Sequence, residues 1–187
     1  TLFFDELEND RYIEVWNIVF SQYDAVEGQP ISTFKELPQK NIDTGMGFER
    51  LMSVIQDTPT NYDSDLFTPL LEAIQAMTPV SYQENTMAYR VIADHARSLV
   101  FTLADGAVFS NEGRGYVLRR ILRRAVRFGK VLGIEGTFIH KLVDVVIETM
   151  GDFYGYLESR EAMVKQLIEQ EEKRFAKTLV GGEKLLL

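Results

Sequence analysis

The chain has 187 residues, of which 45% are hydrophobic, 11% aromatic and 26% charged, a composition that excludes disordered, collagen-like and membrane-spanning classes. It holds no cysteine, so disulfide frameworks, thiolate zinc sites, iron–sulfur clusters and cysteine nucleophiles are excluded as well. Lys and Arg total 20 against 28 Asp and Glu, and the net charge of −8 taken alone argues against a polyanionic partner.

The opening residues Thr1 to Glu6 include neither a basic n-region nor an apolar run of signal length, and a soluble, cytoplasmic piece of a longer protein is expected. Residues 12–23 (YIEVWNIVFSQY) are rich in β-branched and aromatic side chains and predict a strand buried on both faces over much of its length. Gly28, Pro30 and Pro38 mark residues 24–38 as a loop, with a short extended piece around 31–34 and a second short strand ending near Asp43. Gly45-Met46-Gly47 then leads into a helix over 48–56, on which Phe48, Leu51, Met52 and Ile55 have helical spacing. The run Asn61-Tyr62-Asp63-Ser64-Asp65 is cap chemistry ahead of a helix over 66–77, which tolerates Pro69 only in its first turn.

Residues 78–85 contain Pro79 and read as a linker and domain boundary. Four helices are expected beyond it, over 87–104, 115–132, 137–150 and 157–180, with Gly113, Gly115, Gly133, Gly136, Gly151, Gly181 and Gly182 at the breaks. The order is a β-containing piece followed by a helical array, an α+β chain.

Charge is unevenly spread. Arg114, Arg119, Arg120, Arg123, Arg124, Arg127 and Lys130 fall in one window without an acid, leaving the rest of the chain strongly acidic. On a helix, all of these except Arg114 lie in an arc of roughly 140°, with Val117, Leu118, Ile121, Leu122, Ala125, Val126 and Phe128 opposite. An ordinary solvated face mixes signs to form i,i+4 pairs, and this one cannot. Its arginines need either nucleic-acid phosphates or acids from another element, such as Glu169, Glu171 and Glu172.

The segment Asp43-Thr44-Gly45-Met46-Gly47-Phe48-Glu49-Arg50 sets a carboxylate at a strand end, two glycines in a turn and an arginine in the first turn of a helix. Glycines admit a ligand to the backbone, Arg50 and the helix start favour an anion, and Asp43 favours a cation. A zwitterion beside a phosphate suits that combination. Neither a P-loop nor a dinucleotide fingerprint occurs. His95 and His140 have no partner at metal-ligand spacing and read as structural; Asp94 and Asp105 with Arg90 and Arg97 read as helix-face pairs.

Four blocks in order, E-V-W-N-I-V-F-S-Q-Y from Glu14, D-T-G-M-G-F-E-R-L from Asp43, R-V-I-A-D-H from Arg90 and S-N-E-G-R-G-Y-V-L-R-R from Ser110, give the chain a strong resemblance to the bacterial-type alanyl-tRNA synthetases. The resemblance implies the C-terminal part of a class II antiparallel catalytic sheet over residues 1–80, including motif 3, and a helical tRNA-recognition domain over 81–187. It implies a ligase that activates L-alanine with ATP, accompanied by Mg²⁺ as counter-ion, and then charges alanine tRNA. Arg50 and Asp43 are implied as catalytic. Asn17, Val19 and Asp43 would bind alanine, while Val15, Trp16, Asn17, Gly45, Gly47 and Arg50 would bind ATP. Asn111 matches an asparagine that approaches the acceptor-stem wobble pair, and Arg114, Arg119, Arg120, Arg123, Arg124 and Arg127 would hold tRNA phosphates. Motifs 1 and 2 are expected ahead of Thr1 and a second acceptor-reading acid at or beyond Leu187, so this chain by itself is expected to be inactive. The competing class is a non-catalytic helical RNA-binding module, in which Asp43 and Arg50 only pair with each other.

Overall fold

The computed structural model describes residues 2–6 and 11–186, with side chains over 12–179. Its contacts divide the chain into two compact units, Thr1–Ser64 and Asp65–Leu187.

The first unit is an antiparallel sheet in the order β1 (Leu2–Glu6), β2 (Arg11–Asp24), β3 (Lys35–Met46), followed by α1 (Phe48–Ile55). β3 is longer than the short strand expected. It contains Pro38 because the ladder jumps there: Ser21 pairs with Asn41 but Tyr23 pairs with Glu36, and the proline sits in the irregular stretch between. A residue without an N–H is tolerated in such a bulge on an edge strand. The expected extended piece near residues 31–34 is instead a 3₁₀ turn over Ile31–Thr33.

The expectation that β2 is buried on both faces is corrected: Phe20 is 74% and Val19 49% exposed. Among the described residues of this unit, α1 is the single α-helix, so little covers the sheet. Branched and aromatic composition identifies a strand but does not specify what packs on it.

The second unit is helical: α2 (Thr68–Gln75), α3 (Thr86–Ala104), α4 (Gly113–Val131), α5 (Leu142–Met150) and α6 (Tyr156–Leu186). α3 is its centre, burying Ala88, Tyr89, Ile92, Ala93, Ala96, Leu99, Val100 and Leu103, a stripe wide enough to meet α2, α4, α5 and α6. Its first turn is capped by Asn85, whose side chain accepts from the Ala88 N–H at 3.2 Å. Pro69 lies in the first turn of α2, where its missing N–H costs nothing.

The seam between units falls after Ser64, earlier than the boundary expected near residue 80. Residues 78–85 are not a free linker. Thr78 is buried and bonded to the Leu132 carbonyl, and the Tyr89 hydroxyl donates to Val80 O at 2.6 Å. Phe67, Leu70 and Ile74 likewise join the helical core.

Two helix limits also differ from expectation. α5 starts at Leu142, after a 3₁₀ turn over Ile139–Lys141, and the backbone amides of Phe138, Ile139 and His140 ahead of it donate to Glu172. α6 runs on through Gly181 and Gly182, consistent with glycine costing a helix only about 1 kcal/mol and not forbidding it.

Gly129 is required by close approach. A Cβ there would lie 2.3 Å from Phe138 Cε1, and Phe138 is itself buried. Gly129→Ala, normally favourable in a helix, is therefore expected to destabilise by about 1–3 kcal/mol. Urea unfolding checks this; the penalty should shrink in a Phe138→Leu background.

Candidate substrate face and nucleic-acid interface

In the first unit, the β2–β3 register does the assembling. Asn17 pairs with Gly45 and Val19 with Asp43, so these four residues share one face of the sheet. Trp16, Ile18, Thr44 and Met46 take the other face, where the Trp16 indole N–H donates to the Thr44 hydroxyl. Trp16 is thus not brought together with Asn17, Val19 and Asp43.

At the head of the ladder, the Gly47 N–H donates to Val15 O at 3.0 Å, and α1 begins. Gly47 occupies the cap position in extended conformation without a side-chain cap. A Cβ on Gly47 would press on Arg50 Cδ at 3.3 Å, whereas the space above Gly45 is open. The missing side chain at residue 47 lets Arg50 fold back, and its Nη1 donates to Glu14 O at 2.9 Å. The remaining guanidinium donors lie in an exposed residue.

Asp43 and Arg50 form no ion pair with each other among the described residues. Asp43 is exposed, on the same face as Asn17, Val19 and open Gly45. The face therefore offers a free carboxylate, an amide, an aliphatic side chain and bare backbone. Glu14 escaped the sequence reading. Its carbonyl seats Arg50, and its carboxylate accepts from Asn17 Nδ2 at 3.4 Å. The irregular β1–β2 step opposite Glu14 and Trp16 accompanies that contact, and no periodic signal announces it.

In the second unit, α4 carries the arginines, and they divide into two groups. Arg119 is buried, 7% exposed, with Nε 2.8 Å from Glu171 Oε1. Arg123 is half-buried and approaches the same oxygen at 3.3 Å, while Arg174 reaches Glu171 Oε2 at 3.5 Å. Glu171 is 3% exposed, so its carboxylate is dedicated to these guanidinium groups. Arg119 Nη1 donates to Asn111 Oδ1, linking the buried pair to the loop ahead of α4. Placing Arg119 among exposed phosphate contacts is thereby corrected, because Glu171 draws it inward.

Arg114, Arg120, Arg124 and Arg127 stay exposed. A groove of about 540 Å³ runs between His95, Arg120, Arg123, Arg124, Arg127 and Phe175. The Arg123 guanidinium lies 5.1 Å from the Phe175 ring centroid, and Arg120 and Arg124 lie 5.9 Å from Tyr116 and Phe128. Beside it, the His95 imidazole bonds Asp94 at 2.9 Å, which, aided by Arg97 and Arg124, holds the Asp94 carboxyl below its usual range. Asp94 therefore pairs with its neighbour in sequence, a contact absent from the helix-face pairing expected for it. His140 is likewise structural, its Nδ1 being 3.2 Å from Glu172 Oε2.

The family described as tRNA synthetases class II (A) matches residues 4–187, and the chain belongs to that family. Among relatives, it is 51% identical over 183 residues to the alanine–tRNA ligase of Acholeplasma laidlawii, covering 98% of this chain and 21% of that protein. It is 52% identical over 182 residues to the alanine–tRNA ligase of Exiguobacterium sibiricum, covering 96% of this chain and 20% of that protein. The alanine–tRNA ligase of Shouchella clausii is 51% identical over 179 residues, with 96% and 20% covered. The chain spans about a fifth of the length of the curated relatives it matches.

Removing Glu171 would leave Arg119 buried without its counter-charge. Glu171→Ala is expected to lower unfolding free energy by about 3–5 kcal/mol. Glu169→Ala breaks the exposed 2.7 Å pair with Lys173 and is expected to leave the unfolding midpoint nearly unchanged. Parallel urea titrations compare the two.

Proposed function

We propose that this chain is the part of an alanine–tRNA ligase that carries motif 3 and the acceptor-stem reader. The observation that carries the reading is the shared face of Asn17, Val19, Asp43 and Gly45, with Arg50 folded back beside it. A free carboxylate opposite an aliphatic residue suits the ammonium and small side chain of alanine. Bare backbone at Gly45 and Gly47, with an arginine at the helix start, suits a nucleotide triphosphate.

In the proposed reaction, the alanine carboxylate attacks the α-phosphorus of ATP, forming alanyl-adenylate and releasing pyrophosphate. The terminal ribose hydroxyl of the tRNA then attacks the acyl carbon and AMP leaves. Asp43 orients the ammonium, Asn17 and Val19 border the methyl pocket, Gly45 and Gly47 admit the nucleotide, and Arg50 neutralises the triphosphate end. Val15 and Trp16 flank this site, with the Trp16 ring on the reverse of the sheet. Mg²⁺ would accompany ATP as the counter-ion of its phosphates.

The helical unit reads the RNA. Asn111 faces the acceptor-stem wobble pair, while Arg114, Arg120, Arg123, Arg124 and Arg127 hold phosphates. Arg119 supports them from beneath. No helix among the described residues is long and apolar enough to cross a membrane, and a cytoplasmic location fits these substrates.

Two experiments test the halves separately. Grafted in place of the matching segment of the Acholeplasma enzyme, the chain should support alanine-dependent ATP–pyrophosphate exchange. Asp43→Ala should lower that exchange by about 100-fold or more; unchanged exchange would remove its role. In RNA binding across a salt series, Arg124→Ala should weaken wobble and Watson–Crick acceptor stems equally and reduce the salt slope by about one. A sequence-selective loss would contradict its assignment to phosphate.

A further inference from the structure

Asn111 is not a free amide. Its Oδ1 accepts from Arg119 Nη1, and arginine has only donors to offer, so the carbonyl end of Asn111 must face inward. Arg119 cannot readily turn away. Its side chain is 8% exposed, and its Nε lies 2.8 Å from the Glu171 carboxylate, which is itself buried. The backbone around Asn111 is also seated. A Cβ at Gly115 would lie 2.3 Å from Val108 O and 2.7 Å from Ser110 N, so the loop before Asn111 rests directly on α4. The Ser110 hydroxyl donates to Glu112 O across Asn111 at 2.5 Å.

From this relay we infer that Glu171 and Arg119 are positioning residues for RNA recognition, fixing the Asn111 side chain with its carbonyl buried against the guanidinium and its NH₂ presented outward. Asn111 then reads its base by donation. Its partner is an acceptor on the base edge and not an exocyclic amine. A flipped amide would set NH₂ against the guanidinium, donor against donor, beside a cation that cannot lose its proton. The inference rests on the proposed role of Asn111 as the acceptor-stem reader. It adds the polarity of the contact and the two residues that enforce it.

The test uses this chain grafted in place of the matching segment of the Acholeplasma enzyme, and two RNA hairpins that differ only in whether the acceptor stem carries the wobble pair or a Watson–Crick pair. The readout is the ratio of their affinities, which a uniform change in charge or stability does not move. Asn111→Asp keeps an oxygen toward Arg119, and therefore the fold, but turns the outward NH₂ into an acceptor. Donation predicts that N111D loses the preference as completely as N111A, by about tenfold or more. Preference retained in N111D overturns the polarity while leaving the acceptor-stem reading standing.

Arg119→Lys retains the charge opposite Glu171 but not the fork that reaches both partners. It should reduce the ratio several-fold with Asn111 present and change nothing further in N111A. Equal weakening of both hairpins with a lower salt slope would make Arg119 a phosphate contact and overturn the relay. Wild-type binding that ignores the wobble pair would remove the proposed role of Asn111, and this inference with it.

Discussion

The helical unit depends on one buried carboxylate. Glu171 gathers Arg119, Arg123 and Arg174, and without it the inward side of α4 would bring guanidinium groups together in a low-dielectric interior. Neutralising that side lets Leu118, Leu122 and Val126 pack with α3 and α6, and leaves the outward arginines unpaired by Glu171. Stability and polyanion binding therefore draw on different residues of the same helix.

A comparable division governs the sheet. The pleat sends Asn17, Val19, Asp43 and Gly45 to one side and Trp16, Ile18, Thr44 and Met46 to the other, so a single register determines which side chains can meet a ligand. A slip of one residue would exchange the two sets. Main-chain contacts at the ladder head, Gly47 to Val15 and Arg50 to Glu14, set where the strand ends and the helix begins.

Much of this was legible in the sequence because it is local. The glycine turn, the break before α1, Pro69 in the first turn of α2 and the arginine arc each depend on residues within a turn or two. The misread features require partners far along the chain. Residues 78–85 read as a linker because Leu132, which accepts from Thr78, lies 54 residues away. The carboxylate that holds the amides ahead of α5 belongs to Glu172, more than 30 residues further on. Arg119 has the charge of Arg120 and lies in the same polar arc, about 100° away at its edge, and the position of Glu171 is what turns it inward. The alanine–tRNA ligase motifs were readable as motifs, whereas the link between Asn111 and Arg119 needed three dimensions.

Glu171 and Glu172 are consecutive acids on one helix, both buried, and they face different elements. The first faces the arginines of α4; the second accepts from the amides of Phe138 and Ile139 at 2.9 and 3.0 Å. Together they index α6 much as two adjacent teeth index a gear. Sliding the helix by one turn, or rotating it by one residue, would bring neither carboxylate to its own partners and would strand two charges in the interior. Apolar side chains such as Val164 and Ile168 could trade places with little preference, so it is the acids that define a single seating for a helix of 31 residues.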